Sequence, residues 1–169
     1  MDLATFNALP TADASDAVRS CAQVPAWVDD VVSGRPYPSR EDLLRCAARS
    51  AATWGEGDLE AALAQHPRIG ERAEGTGRAA TMSRREQGAA SSADEATAAA
   101  IADGNVRYEE RFGRIFLVRA AGRTGPEILE NLTLRLRNDA ATETLVATGE
   151  LRQIALLRLE GLVDEETPA

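Results

Sequence analysis

A chain of 169 residues carries 27 acidic against 19 basic side chains, a formal net charge of -8 and an isoelectric point near 4.8. That balance excludes the basic footprint that nucleic acid or an anionic membrane surface requires. Every one of the 19 basic side chains is an arginine, so a Schiff-base lysine and lysine-anchored pyridoxal phosphate are excluded too.

Hydrophobic residues make up 44% of the chain but aromatics only 4%. A core of Ala, Leu and Val suits closely packed helices better than a β-sandwich, so the expected fold class is all-α. The length fits a single domain spanning 1–169 that needs no disulfide or metal staple. Cys21 and Cys46 lie at apolar helical positions without zinc-ligand spacing and are expected to be buried free thiols. Met1-Asp2-Leu3 opens no basic-then-apolar leader, and no apolar run is long enough to span a membrane. A cytoplasmic location is therefore expected, and the Arg-for-Lys, Ala-rich usage reads as bacterial.

In chain order, Leu3, Phe6 and Leu9 before Pro10 form a short amphipathic opening. Val18, Cys21 and Ala22 continue at helical spacing after Asp13, read as a cap. Pro25 starts a helix through Trp27, Val28, Val31 and Val32. Ser39 with Asp42 three residues on forms a capping box ahead of Leu43, Leu44, Ala47, Ala48 and Ala51, and Gly55 and Gly57 end that helix. Asp58 caps a shorter helix with Leu59, Ala62 and Leu63. It must stop before Pro67, because the residue preceding proline is disfavoured in the α region. Residues 70–80 read as a loop.

From Ser83 to Phe112 the pattern is helical with a break near Ser91-Ser92, and Gly113 stops it. Ile115-Phe116-Leu117-Val118 has strand propensity with only helices around it. The sequence thus predicts a buried extended segment near 115–122 whose unpaired N–H and C=O groups are open to a ligand. Thr124-Gly125-Pro126 begins a helix with Ile128, Leu129, Leu132 and Leu136. A last helix from Asp139 to Glu160, before Gly161, places Leu145, Leu151, Ile154, Ala155 and Leu159 on its apolar side. The whole reads as a single-domain bundle of about eight helices.

His66, the only histidine, falls at a helix end. Its unperturbed pKa near 6.5 suits proton transfer, and an equally simple reading is a capped core histidine. Ser83-x-x-Glu86 is a capping box, so Glu86 reads either as a cap or, with Gln87, as part of a site. Arg152 sits among apolar positions, where a guanidinium needs an anionic partner or a functional reason. Such a set would recognise a small anionic, amide-rich molecule, with Gln87 and backbone groups reading N–H and C=O edges.

His66-Pro67-Arg68-Ile69-Gly70, Ser83-Arg84-Arg85-Glu86-Gln87, Arg111-Phe112-Gly113 with Phe116-Leu117-Val118-Arg119-Ala120-Ala121-Gly122, and Glu150-Leu151-Arg152-Gln153-Ile154-Ala155 occur here in one order. Together they resemble the OHCU decarboxylase family, OHCU being 2-oxo-4-hydroxy-4-carboxy-5-ureidoimidazoline. The resemblance runs from Phe6-Asn7 to Leu159. It implies an all-helical enzyme of purine catabolism, a carboxy-lyase without metal or organic cofactor, that turns OHCU into (S)-allantoin and CO2. Carried over by motif, His66 and Glu86 are catalytic, while Pro67, Ser83, Gln87, the backbone at Val118, Arg119 and Ala120, and Arg152 bind substrate. It also implies a homodimer. The side chains at Arg119 and Ala121 vary in the family, so that part of the carry-over rests on backbone.

Two other classes compete on residue chemistry. In a non-catalytic all-α interaction module, His66 would end a helix, Glu86 would cap the next, and the acidic surface would meet a basic partner. A metal-dependent hydrolase would need a spaced carboxylate set near the single histidine, and none is present.

Overall fold

A computed structural model describes residues 1–64 and 94–164. Among them are eight helices and no strand: α1 (Leu3–Ala8), α2 (Thr11–Arg19), α3 (Pro25–Ser33), α4 (Arg40–Ala51), α5 (Glu56–Leu63), α6 (Glu95–Phe112), α7 (Gly125–Arg135) and α8 (Ala140–Leu162). The all-α expectation holds. The chain divides into two compact units, Met1–Ala62 with Arg152–Ala169, and Leu63–Leu151.

In the first unit, α3 packs on both α2 and α4. Pro25 occupies the first turn of α3, where a missing N–H costs nothing, and Trp27, Val28, Val31 and Val32 are buried. Trp27 meets Trp54 edge to face at 5.7 Å, and its indole N–H donates to the Ala47 carbonyl at 3.0 Å. Ser39 caps α4 as its spacing predicts, its hydroxyl accepting from the Asp42 amide at 3.1 Å. Arg35 ties the short α1 down, donating through Nη1 to the carbonyls of Phe6 and Leu9 at 2.9 and 2.8 Å. Cys21 is buried as expected, but Cys46 is only half-buried.

Three boundaries differ from the sequence reading. Asp13 is not a cap but lies in the first turn of α2, which starts directly after Pro10. Helix α5 begins at Glu56 and includes Gly57, and Asp58 reaches back from inside it to the Gly55 amide at 2.9 Å. Helix α8 runs through Gly161 to Leu162, because buried Leu159, Leu162 and Val163 hold its last turn more strongly than one glycine weakens it.

In the second unit α6 packs against α7. Gly104 permits the approach, since a Cβ there would lie 2.5 Å from Leu132 Cδ2. Asp94 starts α6, accepting from the Thr97 amide at 2.9 Å. Gly113 ends it in the left-handed region at φ 67°, a conformation that costs any residue with a Cβ. Ile101, Tyr108, Phe116, Val118, Ala120, Ile128 and Leu132 form one apolar cluster.

Beside that cluster lies a buried polar knot. Arg135 and Glu143 are 4% and 1% exposed in their side chains, and Arg135 Nε donates to Glu143 Oε1 at 2.8 Å. The Tyr108 hydroxyl donates to the same oxygen, and Asn138 Nδ2 to Oε2 at 2.8 Å. Burial first, and then the hydrogen bond to Glu143, push the Tyr108 phenol above its ordinary value, so it remains a neutral donor. On α8 the apolar stripe is Ala147, Leu151, Ile154, Ala155 and Leu159. Leu145, expected on it, is 75% exposed. Six residues before Leu151 it points about 120° away round the helix.

Glu143→Ala strands Tyr108, Arg135 and Asn138 at once. Removing one partner of a buried pair costs about 3–5 kcal/mol, and denaturant unfolding should show a loss of that order. The caps supply a second expectation. Asp94 and Asp139 lie below their ordinary 3.8, chiefly through the backbone N–H groups of Thr97 and Thr142. Their contribution is therefore full above the unfolded value and is lost as pH falls through the lower folded one. Melting temperature should decline below about pH 4, and Asp94→Asn with Asp139→Asn, which keep a capping oxygen, should flatten that decline.

Candidate active site

The stretch after Gly113 is where a helical protein meets a backbone problem. Phe116, Leu117, Val118 and Ala120 are buried without helix or ladder, so their peptide groups need partners from elsewhere. Side chains supply two of them. Arg135 Nη1 donates to the Leu117 carbonyl at 2.7 Å, its guanidinium lying 4.7 Å from the Phe116 ring centroid. The Arg119 amide donates to Glu150 Oε2 at 2.7 Å. Glu150, itself buried, also accepts from Arg123 Nη2 at 3.3 Å. The segment turns at Gly122, φ 80°, with the Arg123 amide donating to the Ala120 carbonyl at 3.0 Å.

The backbone expected to have unpaired groups open to a ligand is thus partly committed. The Leu117 C=O and the Arg119 N–H are held by side chains, while the N–H and C=O of Val118 between them pair with nothing among the described residues. Arg119 Nε is buried without an acceptor. The arrangement presents a fixed, extended edge of peptide groups, clamped from two helices.

Arg152 belongs to the first unit. The sequence required an explanation for a guanidinium among apolar neighbours, and the structure supplies half of one. Nη2 donates to the Trp54 carbonyl at 2.7 Å, whereas Nε is buried and meets no acceptor. His66, Pro67, Ser83, Glu86 and Gln87 lie outside the described residues. Among the described residues no group of three His, Cys, Asp or Glu side chains is placed to hold a metal ion.

Sequence reasoning gave no role to Glu150, although it quoted the residue in a motif, and none to Trp54. The signal for Glu150 was present: a carboxylate directly before Leu151, on a helix face destined for burial, needs donors. The signal for Trp54 was not, because an indole in an apolar core reads as packing alone.

A family model described as OHCU decarboxylase matches residues 7–160. The 2-oxo-4-hydroxy-4-carboxy-5-ureidoimidazoline decarboxylase of Amia calva is 30% identical over 166 residues, covering 96% of this chain and 95% of that protein. A bifunctional uric acid degradation protein of Arabidopsis thaliana is 36% identical over 66 residues, 39% of this chain and 20% of its own length. The same fold is seen in an OHCU decarboxylase crystallised in the presence of (S)-allantoin, with a TM-score of 0.71 at 24% identity, covering 87% of this chain and 96% of that one.

Glu150→Ala leaves the part-buried Arg119 amide without its acceptor, a loss of about 1 kcal/mol. Amide hydrogen exchange at Arg119 should accelerate well beyond that of neighbouring residues. Glu150→Gln, which retains one accepting oxygen, should preserve most of the protection.

Proposed function

Since the chain belongs to the OHCU decarboxylase family, we propose that it decarboxylates OHCU to allantoin in urate degradation. The observation that carries this is the match across residues 7–160, together with 30% identity over nearly the whole length of a decarboxylase acting on that substrate. The protein is a carboxy-lyase. The finer assignments, residue by residue, follow from motif and chemistry.

The substrate carries its own electron sink. When the bond to the carboxylate breaks and CO2 leaves, the bonding pair is taken up by the adjoining ring C=N. The ring nitrogen gains a proton, the hydroxyl loses one as it becomes a carbonyl, and one proton must be set on one face of the ureido-bearing carbon. Holding the carboxylate out of the ring plane and supplying that proton are tasks for orientation and one general acid, so the reading invokes no metal or organic cofactor.

In this reading His66 delivers the proton that makes the product (S)-allantoin, and Glu86 engages the substrate hydroxyl or presses electrostatically on the carboxylate. Ser83, Gln87 and Pro67 complete the wall around the ring. Arg152 anchors the ureido or carboxylate end, and the peptide edge at Val118, Arg119 and Ala120 reads the ring's N–H and C=O groups. Residues 1–169 act as one catalytic domain, and the family resemblance supports a homodimer. No described helix is long and apolar enough to cross a membrane. The Arg-for-Lys composition reads as that of a bacterial cytoplasmic enzyme, and the net charge of -8 opposes nucleic-acid partners.

The test generates OHCU from urate in situ and follows optical activity. Wild-type protein should give (S)-allantoin faster than spontaneous decay. A general acid contributes roughly 10²–10⁴-fold, so His66→Ala should fall towards the uncatalysed rate with nearly racemic product. Retention of both rate and handedness would remove His66 from the proton-donor role and leave the helix-end reading.

A further inference from the structure

We propose that Trp54 is a substrate-binding residue whose indole N–H, together with Arg152 Nε–H, holds the ureido carbonyl oxygen of the substrate. This rests on the decarboxylase reading and adds a residue to its site. Trp54 is 5% exposed, and its Nε1–H is buried with no acceptor in the protein. Arg152 Nε–H is in the same condition. The two residues are joined, since Arg152 Nη2 donates to the Trp54 carbonyl at 2.7 Å. Two orphaned donors therefore belong to two residues in direct contact.

Trp27 provides the internal control. It packs edge to face on Trp54, and its own N–H is satisfied by the Ala47 carbonyl. The same core can thus supply an indole with an acceptor, and buried indoles ordinarily find one. If position 54 served packing alone, a phenyl ring would fill it without leaving a desolvated N–H unreturned. Two N–H groups and no local acceptor call for an oxygen from outside the chain.

The substrate offers a carboxylate, a ring carbonyl and a ureido carbonyl. Donors fixed on the carboxylate would stabilise its charge most before the C–C bond breaks, when the charge is still localised, and so raise the barrier to losing CO2. The ureido oxygen keeps its character throughout the reaction. Donors there bind ground state and transition state alike, which is what an anchor does.

Allantoin retains the ureido group and lacks the carboxylate, so it is the probe. The chain has two tryptophans, hence two indole N–H signals in a ¹H–¹⁵N spectrum, assigned with Trp54→Phe. Titrating (S)-allantoin into wild-type protein should move the Trp54 signal downfield and leave that of Trp27 in place. Trp54→Phe should raise KM about tenfold, the equivalent of roughly 1.4 kcal/mol, with kcat within a few-fold, beside the packing loss that a smaller ring brings. A purely structural indole would show that packing loss, as a lowered melting temperature, with unaltered KM. If saturating allantoin shifts backbone amides but not the Trp54 indole, the proposal is overturned, and an ordered water or the carboxylate becomes its partner. Wild-type turnover with a silent Trp54 defeats this inference alone. Absence of OHCU turnover by the wild type defeats the decarboxylase reading and this inference with it.

Discussion

An extended peptide stretch buried among helices is the constraint around which the second unit is built. Helices satisfy their own backbone, but residues 115–120 cannot, and each unpaired peptide group in an apolar core is costly. The fold answers with long side chains from two helices. Arg135 on α7 and Glu150 on α8 reach the Leu117 carbonyl and the Arg119 amide. Burying those two charges then creates a second requirement, which Glu143, Tyr108 and Asn138 meet on one side and Arg123 on the other. The polar knot is thus a consequence of keeping a non-helical edge inside a helical protein.

That chain of necessity favours recognition over stability. A helix in place of residues 115–120 would bury the same apolar side chains with no orphaned peptides and no internal ions. Replacing buried ion pairs by apolar residues is often neutral or stabilising. What the extended segment adds is non-helical backbone held in place, with the Leu117 carbonyl and the Arg119 amide anchored by side chains and the peptide groups of Val118 left between them. Loops that bind are held by rigid scaffolds, and here the holding is explicit in named hydrogen bonds.

The sequence made the periodic elements legible because their causes are local. Ser39 with Asp42, Pro25, and Gly113 act within a turn or two, and each stands where its spacing placed it. Long-range effects were not visible. Leu145 looks apolar enough for the core but lies off the stripe that Ala147, Leu151 and Ile154 define, and Gly161 looks like a terminator until Val163 and Leu162 are seen to be buried beyond it. The buried extended segment was predictable from composition, but its partners were not, since Arg135 and Glu150 lie 18 and 31 residues away from the groups they hold. For the proposed site, motif order nominated the residues, while Arg152's commitment to the Trp54 carbonyl required three dimensions.

The division of labour between charged and neutral donors has a chemical reason. Decarboxylation carries negative charge out of a localised carboxylate and into the ring, so a cation fixed against the carboxylate would oppose the step it is meant to assist. The chain's 19 basic side chains are all arginines, and several of the described ones are committed to groups of the protein. Arg135 serves Glu143 and Leu117, Arg123 serves Glu150, and Arg152 spends one donor on Trp54. Pairing with Glu143 and Glu150 offsets the charges of Arg135 and Arg123, whereas Arg152, bonded to a neutral carbonyl, keeps its full charge. A charge kept at Arg152 is therefore compatible with decarboxylation only where it faces a part of the substrate other than the departing carboxylate.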